Sequence, residues 1–489
     1  MVVNLKCYGE KDDRELVGKE VRNTATLALS FALAFTAYKS IQMLQSSLNQ
    51  KEGLGVTSLA CVYACVIVSC ICAPTVIKLV GGKLTLIIAW IAHSIYISSN
   101  FYPIFATLIP SSILLVLASG SLWTSQGLFL SSNGASLAKT KNQDLHAALS
   151  KLNGIFFTIH ETSQFTGNII SSLVLNKGSY DEFQNATKIC GANSCPLSIN
   201  ATKIVEPGRE VLYTLLGIYL VFDLMALFIT LIFIPPLPKS KWSEEKSLKS
   251  SISSCFLALG DYEVLLLLPM FLFIALEQAL FWADVTKSFI SCPFGIHYVG
   301  YICATHGASI VVANFVLSRI VRFTGRHFLY ALASVLNMTM FILFYFWTPE
   351  KVYYLFIIAL IWGITEGVWQ AQTNVLIALL FPDKKEPVFA NLHCWNAIGF
   401  STSFITSNFF CTSTKLLMVM SVLGLTVISY ITLEITLRKK IQINKTTIEK
   451  DVLEKQELER LQNPVLDTIH NPEFEKIQNP ELEKLHNLE

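Results

Sequence analysis

The stretch LWTSQG, residues 122–127, lies inside an apolar run at 104–131, and VWQAQT, residues 368–373, lies inside a second at 352–380. Each contains Trp-x-x-Gln: Trp123 with Gln126, and Trp369 with Gln372. The copies stand 369 − 123 = 246 residues apart, about half of the 489-residue chain. Runs of this length exceed the ~20 residues that a helix needs to cross a ~30 Å hydrocarbon core. Lipid offers the backbone no hydrogen-bond partners, so such a run reads as a membrane helix. The i,i+3 spacing puts Trp and Gln on one helix face. The pair either packs between helices, the Gln bonding across them for ~0.6–2 kcal/mol, or faces a ligand in a central cleft.

Composition extends that reading to the whole chain. Hydrophobic residues make up 52% and charged residues only 15%, against ~25% charged in soluble domains. Apolar runs recur near 24–48, 56–78, 84–101, 104–131, 149–175, 211–235, 262–284, 297–318, 327–347, 352–380, 387–409 and 414–437. The fold class expected is an all-α polytopic membrane protein with twelve transmembrane helices. Pro235, Pro236 and Pro238 stop the sixth run. The first run is too long for a cleavable signal peptide, and the polar segment 1–23 precedes it. A net charge of +2 gives no reason to expect a nucleic-acid partner; the lipid bilayer is the first partner.

Lys and Arg in the short loops set the orientation. With a cytosolic N-terminus, the inner loops carry Lys78, Lys83, Lys139, Lys141, Lys151, Arg319, Arg322, Arg326, Lys384 and Lys385, and the outer loops only Lys51, Lys287, Lys351 and Lys415. The expected organisation is a cytosolic N-terminus (1–23), a six-helix half (24–235), a cytosolic linker (236–261), a second six-helix half (262–438) and a cytosolic tail (439–489). The outer loop at 176–210 contains NAT at Asn185 and at Asn200, both N-glycosylation acceptors. It also contains CGANSC, where a local Cys190–Cys195 disulfide is expected in an oxidising compartment. The other ten cysteines lie mostly in spans, where a small thiol packs easily. NMT at 337–339 falls inside a span and NKT at 444–446 in the cytosol, so neither is expected to be modified.

The two halves read as parallel repeats. Aligning Gly82-Lys83 with Gly325-Arg326 needs an offset of 325 − 82 = 243, and that offset also pairs Leu149, Asn153, Ile155 and Phe157 with Leu392, Asn396, Ile398 and Phe400. The Trp-x-x-Gln copies miss it by three residues. Twelve spans in two halves with short basic loops is the plan of the major facilitator superfamily. Its usual loop motif after span two contains an Asp; here APTVIKLVGGK and SRIVRFTGRH both lack one, which counts against the transporter reading.

Several longer strings carry a closer resemblance. FTAYKSIQMLQSSLNQKEGLG (35–55), NFYP (100–103), SGSLWTSQGLFLS (119–131), FFTIHETSQFTGNIISSLV (156–174), EQALFWADVTKSF (277–289) and GITEGVWQAQTN (363–374) resemble the uncoordinated-93 (unc-93) family of ion-channel regulatory proteins, in its homolog A-like branch. The resemblance covers roughly residues 22–438. It implies a major-facilitator-like fold and a role as regulatory subunit of two-pore potassium channels or as an escort of receptors. The family's motifs are not catalytic, so it implies no active site, and the protein is expected not to be an enzyme.

Ionisable groups inside spans are costly and therefore functional candidates. They are Lys39, Glu161, Asp223, Glu277 and Glu366, with Asp284 nearer the outer end. Either a Lys–carboxylate ion pair fixes helix register, or a carboxylate that exchanges a proton drives transport of a small solute or ion. Together with Trp123, Gln126, Trp369 and Gln372 they form the cavity or coupling set. Glu161 and Glu366, each among small or polar neighbours (IHETSQ, GITEGV), read as lining a hydrated face. His93, His306 and His393 occur singly and read as structural. No Cys/His spacing resembles a metal site, and no cofactor motif is present. From 455 the chain repeats every eight residues (KQELERLQ, NPVLDTIH, NPEFEKIQ, NPELEKLH); Asn-Pro fits an N-cap with Pro at the first helical position, so short helical turns are expected. The composite expectation is a multi-pass protein of the plasma membrane, or of endosomal or endoplasmic reticulum membrane, regulating or escorting a partner such as a potassium channel or receptor; the alternative is a secondary transporter.

Overall fold

The computed structural model describes residues 17–176, 190–196, 207–236, 257–347, 350–381 and 385–462. Among these every regular element is helical. The helices are α1 (Glu20–Leu48), α2 (Leu54–Ala64), α3 (Val66–Val80), α4 (Gly82–Ser99), α5 (Phe105–Lys141), α6 (Leu145–Leu175) and α7 (Arg209–Phe233), then α8 (Tyr262–Ala279), α9 (His297–Phe346), α10 (Val352–Leu380), α11 (Lys385–Thr406) and α12 (Thr412–Gln462). A π-helical stretch, Leu280–Ser291, carries α8 onward.

Local sequence sets the breaks. After α3, Gly81 adopts φ 85°, ψ 156°. Inside α9, Gly325 adopts φ 73°, ψ 158° and divides it. This corner of backbone space is essentially closed to residues with a Cβ. The Gly-basic loops singled out in the sequence thus share one backbone conformation, at an offset of 325 − 81 = 244. Between α5 and α6, Asn142 takes the left-handed conformation at φ 46°, and the Asp144 side chain caps α6 by accepting from the Ala147 N–H at 3.0 Å, a contact worth ~1 kcal/mol.

Nine helical stretches among the described residues are long and apolar enough to cross a membrane. The expected spans at 84–101, 149–175 and 387–409 are helices, α4, α6 and α11, but fall outside that set, so length and apolarity do not fix the count at twelve. In α6 and α11 the reason is polar content: Asn153, His160, Glu161 and Asn168 in one, His393, Asn396 and Ser403 in the other.

Helix α1 packs on α6 and α7, α4 on α5 and α7, α9 on α10 and α6, and α11 on α8 and α2. An aromatic core holds α1, α4 and α6 together: the Phe31 ring lies 5.0 Å from Trp90 and 5.2 Å from Phe156, and the Trp90 Nε1–H donates to Thr230 Oγ1 at 2.9 Å. Lipid supplies no hydrophobic force between helices, so close approach at small residues does that work. Gly120 of α5 lies against α3 so closely that its N–H donates to Ser69 Oγ at 2.8 Å, and a Cβ there would collide with the Ser69 backbone. Exposed Leu29, Ile88 and Ile357 give the bundle its apolar exterior.

The chain divides into two compact units, one ending at Ser429 and one beginning at Tyr430. In the second, Tyr430–Gln462 is continuous helix. The candidate span within α12 is Thr412–Lys440, close to the expected 414–437, and the helix continues beyond the span to Gln462. The remaining repeats, the sequons at Asn185 and Asn200, and most of the linker lie outside the described residues.

The local Cys190–Cys195 disulfide is also corrected. Cys190 is bonded to Cys292, and Cys195 to Cys411. The short helical turn Gly191–Asn193 lies between the two cysteines, and each meets a cysteine at the end of a different C-terminal element.

Candidate functional site

Helices α1 and α6 bring Lys39 to Glu161, Nζ to Oε2 at 3.1 Å. The close approach is possible because Gly167 of α6 sits against the Thr36 carbonyl. The other carboxylate oxygen meets His160 Nδ1 at 3.0 Å. His160 in turn packs among rings: 4.9 Å from Phe35, 5.5 Å from Trp123 and stacked on Phe156. The Lys39 side chain is 18% exposed and that of Glu161 43%, so the pair borders open space. Lys39 and Trp123 line a cavity of about 530 Å³ with residues of α1–α5 and Trp282.

The acidic groups after the linker are placed differently. Glu277 of α8 is fully buried, and its Oε1 accepts from Asn337 Nδ2 at 3.0 Å while Oε2 has no partner. Glu366 of α10 is 3% exposed, which contradicts the hydrated face expected for it. Its Oε1 accepts from Gln370 Nε2 at 3.0 Å. Its Oε2 lies 3.0 Å from His306 Nε2, near enough for a charge contact but not aligned as a hydrogen bond. By sequence alone His306 reads as structural and Asn337 only as part of a sequon inside a span. The signal for both was a polar residue recurring inside an apolar helix. Asp223 is buried apart, both carboxylate oxygens unpartnered.

The two Trp-x-x-Gln copies share one feature and differ in another. Gln126 and Gln372 are both buried. Trp123 is 37% exposed and forms cavity wall, whereas Trp369 is enclosed by Phe273 at 5.0 Å and Tyr330 at 5.4 Å, its indole N–H unpartnered.

A fourth cluster lies where the disulfides are. Ser47 Oγ meets Ser291 Oγ at 2.8 Å, Asn408 Nδ2 donates to Thr57 Oγ1 at 3.0 Å, and Ser172 Oγ donates to the His297 carbonyl at 2.6 Å. Lys415 is bonded to Asp284, and the Thr412 N–H donates to the Ser194 carbonyl at 3.0 Å. Every one of these contacts except Lys415–Asp284 joins an element before residue 237 to one after 256, as both disulfides do. Among the described residues no group of three or more His, Cys, Asp or Glu is placed to share a metal ion.

Solved structures of similar shape are membrane transporters. The nucleoside transporter NupG superposes with a TM-score of 0.59 at 11% identity, covering 84% of this chain and 98% of that one. A D-xylose-proton symporter gives 0.53 at 11% identity, covering 83% and 96%. Identities this low establish the major-facilitator-like fold alone. By sequence, protein unc-93 homolog A of Xenopus laevis is 34% identical over 84% of this chain and 92% of its own length, and that of Homo sapiens 33% over 84% and 93%. A putative potassium channel regulatory protein, unc-93 of Caenorhabditis elegans, is 26% identical over 79% and 57%. The family model described as ion channel regulatory protein UNC-93 matches residues 47–432. This multi-pass membrane chain, with a major-facilitator-like fold and a family match over residues 47–432, belongs to the UNC-93 family of ion channel regulatory proteins.

Proposed function

We propose that this protein is a non-enzymatic regulatory or escort subunit of another integral membrane protein, a potassium channel by analogy with the name of its nematode relative. The observation that carries the proposal is the cross-linked end of the bundle. Transporters of this fold work by rocking two halves so that each end opens in turn. Here residues 24–235 and 262–438 are taken as those halves. Two disulfides and several hydrogen bonds join them at one end. Thermal motion breaks hydrogen bonds but not S–S bonds, so with the disulfides intact that end stays shut. Alternating access is then blocked, while a rigid surface for a partner is kept.

Disulfides persist in oxidising compartments, which supports assigning this end to the lumenal or extracellular face. Plasma-membrane residence follows if the partner is a cell-surface channel. The test is affinity purification of the full chain from native membranes, followed by co-expression with whichever channel co-purifies. The expected result is an altered current or surface density of that channel. If no membrane protein co-purifies, and the chain alone moves a solute with its disulfides intact, the transporter reading replaces this one.

A further inference from the structure

The cavity between α1, α2, α3, α4 and α5 has features that packing alone does not require. At about 530 Å³ it falls within the ~300–1,000 Å³ range of small-molecule sites. Its described wall carries the aromatic side chains Phe35, Tyr38, Tyr63, His93, Trp123 and Trp282. Several are fixed from behind. Tyr63 stacks on Phe400 at 4.2 Å, and its hydroxyl accepts from Gln42 Nε2 at 2.7 Å. Trp282 stacks on Phe400 at 5.1 Å. Trp123 rests on Phe35 at 5.4 Å. Rings held in this way lose little entropy when a ligand arrives, so they act as preorganised stacking surfaces.

The polar groups of the wall give it a direction. Lys39 is the one Lys, Arg, Asp or Glu among the described lining residues. The ammonium has three N–H donors and uses one on Glu161. His93 is 2% exposed, and its buried Nδ1 has no partner. Among the described lining residues there is no Asp or Glu; the nearest carboxylate is Glu161, 3.1 Å from the Lys39 ammonium. Flat aromatic faces beside an ammonium that keeps two N–H donors beyond its Glu161 contact suit a ligand that is planar and aromatic and carries a carboxylate acceptor.

We infer that this cavity is a binding site for an aromatic carboxylate, its ring lying between the Trp123 and Trp282 sides and its carboxylate on the Lys39 ammonium. The inference is independent of the channel-regulator reading, since binding is measured with no partner present. If both hold, the ligand is a signal the subunit senses rather than cargo.

The test uses the full chain in lipid nanodiscs and three probes: indole-3-acetate, neutral indole-3-acetamide, and cyclohexylacetate, which keeps the charge and lacks the ring. Saturable binding is followed by calorimetry and by the shift in melting temperature. Indole-3-acetate is expected to bind at least tenfold more tightly than either control. Lys39→Met combined with Glu161→Gln, which removes both charges and leaves neither partner alone, is expected to erase the preference for acid over amide. Trp123→Leu is expected to weaken both indoles at least fivefold; Trp123 is open to the cavity, so this variant decides the matter if the double variant fails to fold. Equal binding of the three probes to the wild type, no saturable binding of any, or unchanged affinity in the variant that folds would overturn the inference.

Discussion

At the scale of single residues, Gly81 and Gly325 carry the most information. They sit in the two corresponding loops, KLVGGKLTL and RFTGRHFL, at φ 85°, ψ 156° and φ 73°, ψ 158°. Open space surrounds both positions, so an added Cβ meets no neighbour and the backbone alone opposes it. Gly81→Ala and Gly325→Ala are each expected to cost ~1–3 kcal/mol, read as a lower melting temperature of the purified protein. If both variants melt with the wild type, the turns are not glycine-dependent. The Lys39–Glu161 pair makes a second residue-scale prediction. Glu161 is partly exposed, so solvent screens the pair and its coupling is expected to be ~1 kcal/mol rather than the larger value of a dry pair. In a double-mutant cycle, Lys39→Met and Glu161→Gln should each lower stability, and the double variant should recover part of the loss. Strict additivity would mean that the 3.1 Å contact carries no energy.

At the scale of elements, what was legible depended on whether the information was local. Apolar length marks helices because lipid leaves the backbone no other option, and Gly, Pro and Asn mark their ends, so α1, α4, α6, α7 and α10 begin and end within four residues of the expected runs, whereas the run 56–78 is split between α2 and α3 and α5 continues to Lys141, past the expected 131. Pairing between distant elements left no such trace. Cys190 and Cys195 are five residues apart, and proximity in sequence suggested that they bond to each other. Their partners stand at the ends of apolar runs, in SCPFG and FFCTS, where a thiol looks like packing. The one usable hint was that both ends face the same side in the expected topology as the CGANSC loop. His306 and Glu366 were likewise 60 residues apart in sequence, and only the α9–α10 packing brings them together. The disulfide correction can be checked directly. A protease site placed between residues 237 and 256 divides the chain into a piece with Cys190 and Cys195 and a piece with Cys292 and Cys411. After cleavage, denaturing electrophoresis without reductant should keep the pieces together, and reductant should part them. Cys190→Ser with Cys195→Ser should part them without reductant. Separation of the unreduced wild-type pieces would restore the local disulfide.

For the whole molecule, covalent chemistry and charge must agree on which side is which. The short loops expected inside carry ten Lys and Arg residues, and those expected outside carry four, a bias that orients membrane proteins during insertion. The disulfides require an oxidising compartment on their own side. N-glycosylation occurs on that same side, and both NAT sequons belong to the loop that contains Cys190 and Cys195. These three constraints come from different physics: electrostatics at insertion, thiol redox poise, and the lumenal site of glycan transfer. Together they support the proposed topology, with both termini cytosolic and the cross-linked end outside. Digestion with an N-glycosidase should therefore increase the mobility of the wild-type chain, and Asn185→Gln with Asn200→Gln should abolish that change. Single variants should each lose about half of it. If the double variant still shifts, glycans sit on another loop; if the wild type never shifts although its disulfides are formed, the link between the cross-linked end and a glycosylated face fails, and with it the argument that this end is closed toward the outside.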